Sequence, residues 1–352
     1  MEFPELDELN IEAEEGVTVE DGKATAVKMG FIGGGQGGCK IADEFYTSAY
    51  RRILLVNTTD QDMAGLNCPN KIIIGSGVAG AGKNPDVGRK AAEECREDIL
   101  RACKKAFGSN VEWIMVTVGL GGGTGSGSCE TLISVAKDYM ISIDKEPRVG
   151  VIAAFPKKAE GLGVKTNAQK IMASLLDSID SKTISPLIIM DNEKIGKMFP
   201  KATITNFYSI ANKNIVGLFN VFNELAAMNS PYMTLDPADY KSLLSSGAII
   251  FGMAPITNFE DDTVIASIIQ KNVKSGLLSD SLSSKGASHA GAILVASKAM
   301  LETIPQSSFD MAFETLSRSI GTDNLVLHSG IYEGSESLGN KAMLYTIIAG
   351  LK

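Results

Sequence analysis

Gly119-Leu-Gly-Gly-Gly-Thr-Gly-Ser-Gly127 lies between an apolar run, Trp113–Val118, and a stretch of helical spacing, Cys129–Lys137. The run reads as a buried strand and the stretch as a helix. A strand, a loop nearly stripped of side chains and a helix N-terminus together form an arrangement that binds phosphate. Glycine lets the backbone approach an anion closely, consecutive N–H groups point at it, and the helix dipole favours its charge. Thr124 and Ser126 add hydroxyl donors. A tight strand-to-helix turn with no ligand is the competing reading, and the five glycines between 121 and 127 weigh against it.

Outward from this loop, from Ala26 onward, short apolar runs alternate with amphipathic stretches, the pattern of an α/β parallel sheet. Strands are expected at 27–32, 52–56, 71–74, 113–118, 149–154 and 186–190. Helices are expected up to Tyr50, over 85–107 as one long element, from Cys129, and over 166–178. Phe207 to Met228 carries apolar residues on several faces and reads as a long buried helix. Beyond it, strands at 248–253, 290–297, 324–332 and 343–349 surround helices near 262–275 and 307–320. The fold class is therefore α/β, a parallel-sheet domain (27–206) joined by a central helix (207–229) to a smaller α+β domain with a mixed sheet (230–352).

Composition narrows the function classes. Residues 1–26 hold nine acids and one base, Lys23, a balance of −8 that equals the charge of the whole 352-residue chain. The segment reads as an acidic, disordered extension, and the formally neutral remainder has no excess charge to draw it to nucleic acid. No apolar run approaches the roughly 20 residues that cross a bilayer. The N-terminus lacks a signal-peptide pattern, so neither membrane insertion nor secretion is expected. Cys39, Cys68, Cys95, Cys103 and Cys129 show no metal-type spacing and suit reduced thiols in the cytoplasm. His289 and His328 are too few for a histidine-based metal site and are read as structural or surface residues.

Gly121-Gly-Gly-Thr-Gly-Ser-Gly127 resembles the signature of the tubulin/FtsZ superfamily of GTPases, and further segments resemble its other loops in the expected order. The resemblance implies that GTP or GDP, with Mg²⁺ held mainly through the phosphates, contacts Gly34, Gly35, Gln36, Gly37 and Cys39 of the first phosphate loop. It implies γ-phosphate contacts at Gly80, Ala81, Gly82 and Asn84. Gly121, Gly122, Gly123, Thr124, Gly125 and Ser126 are the signature contacts. Glu160 stands at the ribose-side carboxylate, where the arginine that commonly follows is absent and Lys165 is the substitute on offer. Asn192 stands near sugar and base. Tyr208 and Asn212, four apart on one helix face, would stack on the purine and bond its edge.

Two rival motifs are weaker. Gly33, Gly35 and Gly38 satisfy the dinucleotide fingerprint, whose acid at the end of the second strand is replaced by Asn57, with Thr58 and Thr59 next. Gly77 to Lys83 satisfies most of a P-loop, but Asn84 stands where its hydroxyl residue belongs.

Met233-Thr-Leu-Asp-Pro-Ala-Asp-Tyr240 resembles the FtsZ loop that completes the site of the next subunit along a filament. The resemblance makes Asp236 and Asp239 the catalytic acids, acting in trans, with Thr234 replacing the usual asparagine. A good helix start is the other reading of Asp-Pro-Ala-Asp. The implied protein is a cytoplasmic, cytomotive GTPase that polymerises head to tail, its partners being its own copies and an adaptor or cargo protein. Cell division and the positioning of DNA or phage are both open roles. The chain ends soon after its last expected strand, without the peptide that FtsZ uses to reach membrane anchors, which weighs against division. An NAD-dependent oxidoreductase and a non-hydrolysing structural filament are the alternatives.

Overall fold

The computed structural model describes residues 24–75, 80–257, 262–275, 285–322 and 324–351. The acidic extension up to Lys23 and the Gly77 motif's first residues lie outside them. The chain divides into two units, Val27–Val216 and Gly217–Lys352, the second also taking in the described residues before Val27.

In the first unit, β1 (Met29–Gly34), β2 (Ile53–Asn57), β3 (Lys71–Ile73), β4 (Trp113–Gly119), β5 (Val149–Phe155) and β6 (Leu187–Asp191) line up in the order β3-β2-β1-β4-β5-β6. Every pairing is parallel. All six residues of β1 are buried, and so are the first six of β4. Continuous apolar strands of this kind require cover on both sheet faces. The cover comes from α1 (Gly35–Thr47), α2 (Pro85–Glu94), α3 (Arg96–Phe107), α4 (Gly123–Ser142), α5 (Leu162–Asp180) and the short α6 (Asn192–Met198).

Two elements differ from the sequence expectation. The single helix expected over 85–107 is divided at Cys95, whose backbone (φ −100°, ψ 13°) leaves the helical region while its sulfur accepts the Gly75 N–H at 3.4 Å. The helix expected from Cys129 starts six residues earlier, inside the glycine run. Its glycines allow backbone-to-backbone packing: a Cβ on Gly127 would lie 2.0 Å from Pro85 O, and one on Gly88 would lie 2.4 Å from Gly123 O. Small residues thus bring α2 and α4 together more closely than any side chain permits.

α7 (Phe207–Leu225) is buried on all sides from Leu218 to Leu225, as its apolar faces require, and the division between the units falls inside it. In the second unit, β7 (Ala248–Ile256), β8 (His289–Ala296), β9 (Val326–Glu333) and β10 (Ala342–Leu351) run in the order β7-β10-β8-β9. β10 is antiparallel to both neighbours and β8 is parallel to β9, giving the expected mixed sheet. α8 (Pro237–Leu244), α9 (Asp262–Ser275), α10 (Lys298–Leu301) and α11 (Gln306–Ile320) complete the unit.

Candidate functional site

Strand register brings the loops of the first unit level with one another. Gly34 pairs with Val56 and Val118, Gly119 with Ala154, and Phe155 with Asp191, so β1, β2, β4, β5 and β6 end together. In an open parallel sheet, ligands bind beyond these carboxyl ends.

The first loop is nearly absent, because α1 starts at Gly35 directly after β1. Gly35 has φ +67°, and a Cβ there would stand 2.6 Å from Gly125 N, so the two phosphate-type loops touch through bare backbone. Gln36 and Gly37 are exposed. The Gln36 amide donates to Asp62 Oδ1 at 3.0 Å, and Asp62 Oδ2 accepts from Asn57 Nδ2 at 3.2 Å. Asp62 is therefore a site residue that sequence reading passed over; only its place five residues beyond the end of β2 could have signalled it. Cys39 turns its thiol away, donating to Gly33 O (3.3 Å) and Val56 O (3.6 Å), and burial pushes that thiol up to about 12. Within this loop, Cys39 offers a ligand backbone only.

The hydroxyls of the signature are also engaged with protein. Thr124 Oγ1 meets Thr58 Oγ1 at 2.7 Å, and Ser126 Oγ donates to Leu120 O. What the signature leaves open is backbone. Gly122 is the N-cap of α4, no side chain caps it, and a Cβ there would meet nothing within 4 Å. The first-turn N–H groups of Gly123, Thr124 and Gly125 have no intrahelical acceptor. Gly121 instead packs on Val164 and Pro156, while Gly123 packs against Ala81 and Asn84.

The segment beside it bends sharply: Gly80, Gly82 and Lys83 have φ of +92°, +53° and +62°. Its turn closes with the Asn84 N–H on Ala81 O at 2.8 Å, and Asn84 Oδ1 caps α2 by accepting from Asp86 N at 3.0 Å. This capping role follows from Asn84-Pro85-Asp86 as a helix start.

On the other side, Glu160 Oε1 accepts the Lys157 N–H at 2.8 Å, and Glu193 Oε2 accepts the Lys158 N–H at 3.2 Å. Asn192 is buried at the first position of α6, which Asp191 caps through Glu193 N and Lys194 N. Tyr208 is 48% exposed, and burial together with the nearby Glu160 charge raises its hydroxyl pKa. Asn212, one turn further along α7, is buried. Phe207 lies under Lys157, whose Nζ is 3.2 Å from the ring centroid, and packs edge-on to Tyr208 at 5.2 Å. Lys165 is exposed.

β2 ends on Asn57, bonded to Asp62, where a dinucleotide site would present an acid to the ribose. Gly33 and Gly38 serve packing: a Cβ on Gly38 would lie 2.0 Å from Thr117 O, and one on Gly33 would lie 2.9 Å from Ala42 Cβ. Among the described residues, no group of three or more histidines, cysteines and acids could hold a metal, and no helix is long and apolar enough to cross a membrane.

The two acids of the second unit differ in use. Asp236 is the N-cap of α8, its Oδ1 accepting the Asp239 N–H at 2.8 Å with Pro237 at the first helical position. Asp239 Oδ1 lies 2.9 Å from His328 Nδ1. Thr234 Oγ1 accepts the Ser230 N–H at 3.0 Å.

Residues 28–200 match the Tubulin/FtsZ family, GTPase domain. Tubulin-like protein TubZ of Bacillus cereus is 26% identical over 244 residues, 64% of this chain and 54% of that protein. Cell division protein FtsZ of Helicobacter pylori (strain J99) is 30% identical over 267 residues, 73% of this chain and 63% of that protein. The chain thus spans between about half and two thirds of the length of these relatives. Its fold matches a GTPyS-form protofilament of TubZ from Bacillus thuringiensis serovar israelensis with a TM-score of 0.80 at 20% identity, over 96% of this chain and 90% of that one. CetZ2 from Haloferax volcanii, a GTPgS-bound protofilament, matches with a TM-score of 0.73 at 21% identity, over 92% and 93%. The chain belongs to the tubulin/FtsZ family of GTPases.

Proposed function

We propose that this protein is a cytomotive GTPase that binds GTP with Mg²⁺, polymerises head to tail and hydrolyses the nucleotide between subunits. The observation that carries the reading is the start of α4: an uncapped helix N-terminus behind Gly122, which faces open space at the level strand ends. Such a terminus favours negative charge through its N–H groups and its dipole.

In this reading the α4 amides and the bent segment at Gly80–Asn84 bind phosphate. Gln36, braced by Asp62, and the Thr58–Thr124 pair hold the loops in register. Glu160 binds the ribose, Asn192 lies near the sugar and base, and Tyr208 stacks on the purine while Asn212 bonds its edge. Mg²⁺ carried by the phosphates would offset their charge.

Asp236 and Asp239 would reach the nucleotide of the next copy. Asp236, committed to the α8 cap, shapes the loop, and Asp239 orients and polarises the attacking water. Head-to-tail contact of this kind is heterologous and produces an open filament. Division and, through an adaptor, the positioning of cargo such as DNA or phage both stay open: likeness to cell division protein FtsZ supports the first, and likeness to a type III plasmid segregation TubZ supports the second.

Light scattering and phosphate release, measured against protein concentration with and without GTP, test the proposal. A shared threshold concentration is the expected result. Scattering without phosphate release would instead identify a non-hydrolysing filament, and tight NAD(H) binding without GTP binding an oxidoreductase.

A further inference from the structure

The chain has two histidines, and its second unit stacks them on each other, ring centroids 6.0 Å apart and planes 7° from parallel. His289 opens β8, and His328 is the third residue of the adjacent β9. His328 Nδ1 faces Asp239 Oδ1 at 2.9 Å, while its Nε2 is enclosed with no hydrogen-bond partner. On the far side of the stack, His289 Nδ1 lies 2.9 Å from both Ser246 Oγ and Ser288 Oγ. The sequence reads both histidines as structural or surface residues; the fold sets them side by side, with His328 against Asp239, one of the two acids.

We propose that His328 is a positioning residue for Asp239, holding one carboxylate oxygen so that the side chain keeps a single orientation toward the neighbouring subunit. The proposal rests on the hydrolytic role given to Asp239 above. A proton on the enclosed Nε2 would be a buried donor without an acceptor, which is costly. The neutral ring therefore carries its proton on Nδ1 and donates it to Asp239. The same enclosure excludes His328 as a base acting on substrate through Nε2.

His289, itself held by two serines, backs the ring and keeps it from turning over. Asp236 and Tyr332 also face this cluster; Asp236 is tied to the cap, and the Tyr332 hydroxyl stands 3.0 Å from the Leu235 N–H that it accepts. Of the two acids, Asp239 is the one with an imidazole behind it. Its side chain is 34% exposed, against 9% for that of His328, so the held carboxylate stays at the surface while its holder is covered.

The test compares His328→Leu, His328→Asn and His328→Gln in the full chain. Asparagine keeps a donor at the position of Nδ1; glutamine moves it to the position of Nε2. Phosphate release per polymerised subunit and critical concentration are read separately. His328→Leu and His328→Gln should lose about tenfold in turnover, the equivalent of one charge-assisted hydrogen bond, with critical concentration unchanged within about twofold. His328→Asn should stay within about threefold of the parent.

Full turnover in the leucine variant overturns the proposal. Equal losses in the asparagine and glutamine variants also overturn it, because a merely structural ring would be missed alike in both. Should the leucine variant fail to fold, the asparagine–glutamine comparison decides alone. Asp239→Ala separates the two readings. If that variant is inactive while His328→Leu is active, only the positioning role fails; if it keeps full turnover, the hydrolytic role fails and takes this proposal with it.

Discussion

Thr58 and Thr124 meet hydroxyl to hydroxyl at 2.7 Å, joining the residue after β2 to the first turn of α4 across 66 positions of sequence. Both are buried, so neither hydroxyl has ready access to water as a substitute partner. Thr58→Val and Thr124→Val should each cost about 1–2 kcal/mol, the penalty of leaving one buried hydroxyl without its mate. The double variant should cost less than the sum of the two. Urea denaturation of all four proteins measures the coupling, and strict additivity would show that the pair does not interact.

The signature glycines should separate into two classes. A Cβ at Gly127 collides with Pro85 O and Arg89 N, both backbone atoms that cannot move without parting α2 from α4. Gly127→Ala should therefore destabilise the fold by about 3 kcal/mol or more. Gly122 faces open space at φ −80°, which alanine tolerates. Gly122→Ala should leave stability within about 0.5 kcal/mol of the parent but weaken nucleotide binding about tenfold or more, by keeping phosphate from the α4 amides. Thermal unfolding beside nucleotide titration distinguishes the two.

Asp236 and Asp239 should likewise divide stability from turnover. Asp236→Ala removes the N-cap of α8 and should cost about 1 kcal/mol. Asp239→Ala should keep GTP binding while slowing phosphate release and lengthening filaments. Electron microscopy with a phosphate assay checks it; unchanged release in the Asp239 variant would remove that residue from the mechanism.

Acid should destabilise the second unit through His289. Burial, and then the neighbouring His328, hold its pKa below the ordinary value. Below about pH 6.5 the unfolded chain therefore binds a proton that folded His289 resists. The stability present above that pH is lost in the window beneath it. His289→Asn should flatten the decline between about pH 6.5 and 5, read as the midpoint of chemical denaturation. A decline as steep as the parent's would show that other groups cause it.

Sequence alone determined the fold class, the family and the order of the loops. Those signals are local: an unbroken apolar run such as Trp113–Val118 specifies a strand covered on both faces, and Asp-Pro-Ala-Asp specifies a helix start wherever it lies. Tertiary structure decided what the polar groups do once the chain closes on itself. Cys39 turned its thiol into the sheet, Thr124 and Ser126 spent their hydroxyls on protein, and half of the glycine run became the first turn of a helix packed against another helix. Asp62 reached Gln36 through the pairing of β1 with β2, and His328 reached Asp239, 89 positions away, where the Met233–Ile331 bridge joins the loop before α8 to β9; no local pattern records either. A hydrogen bond depends on which atoms come within about 3 Å, and only the folded backbone sets that distance.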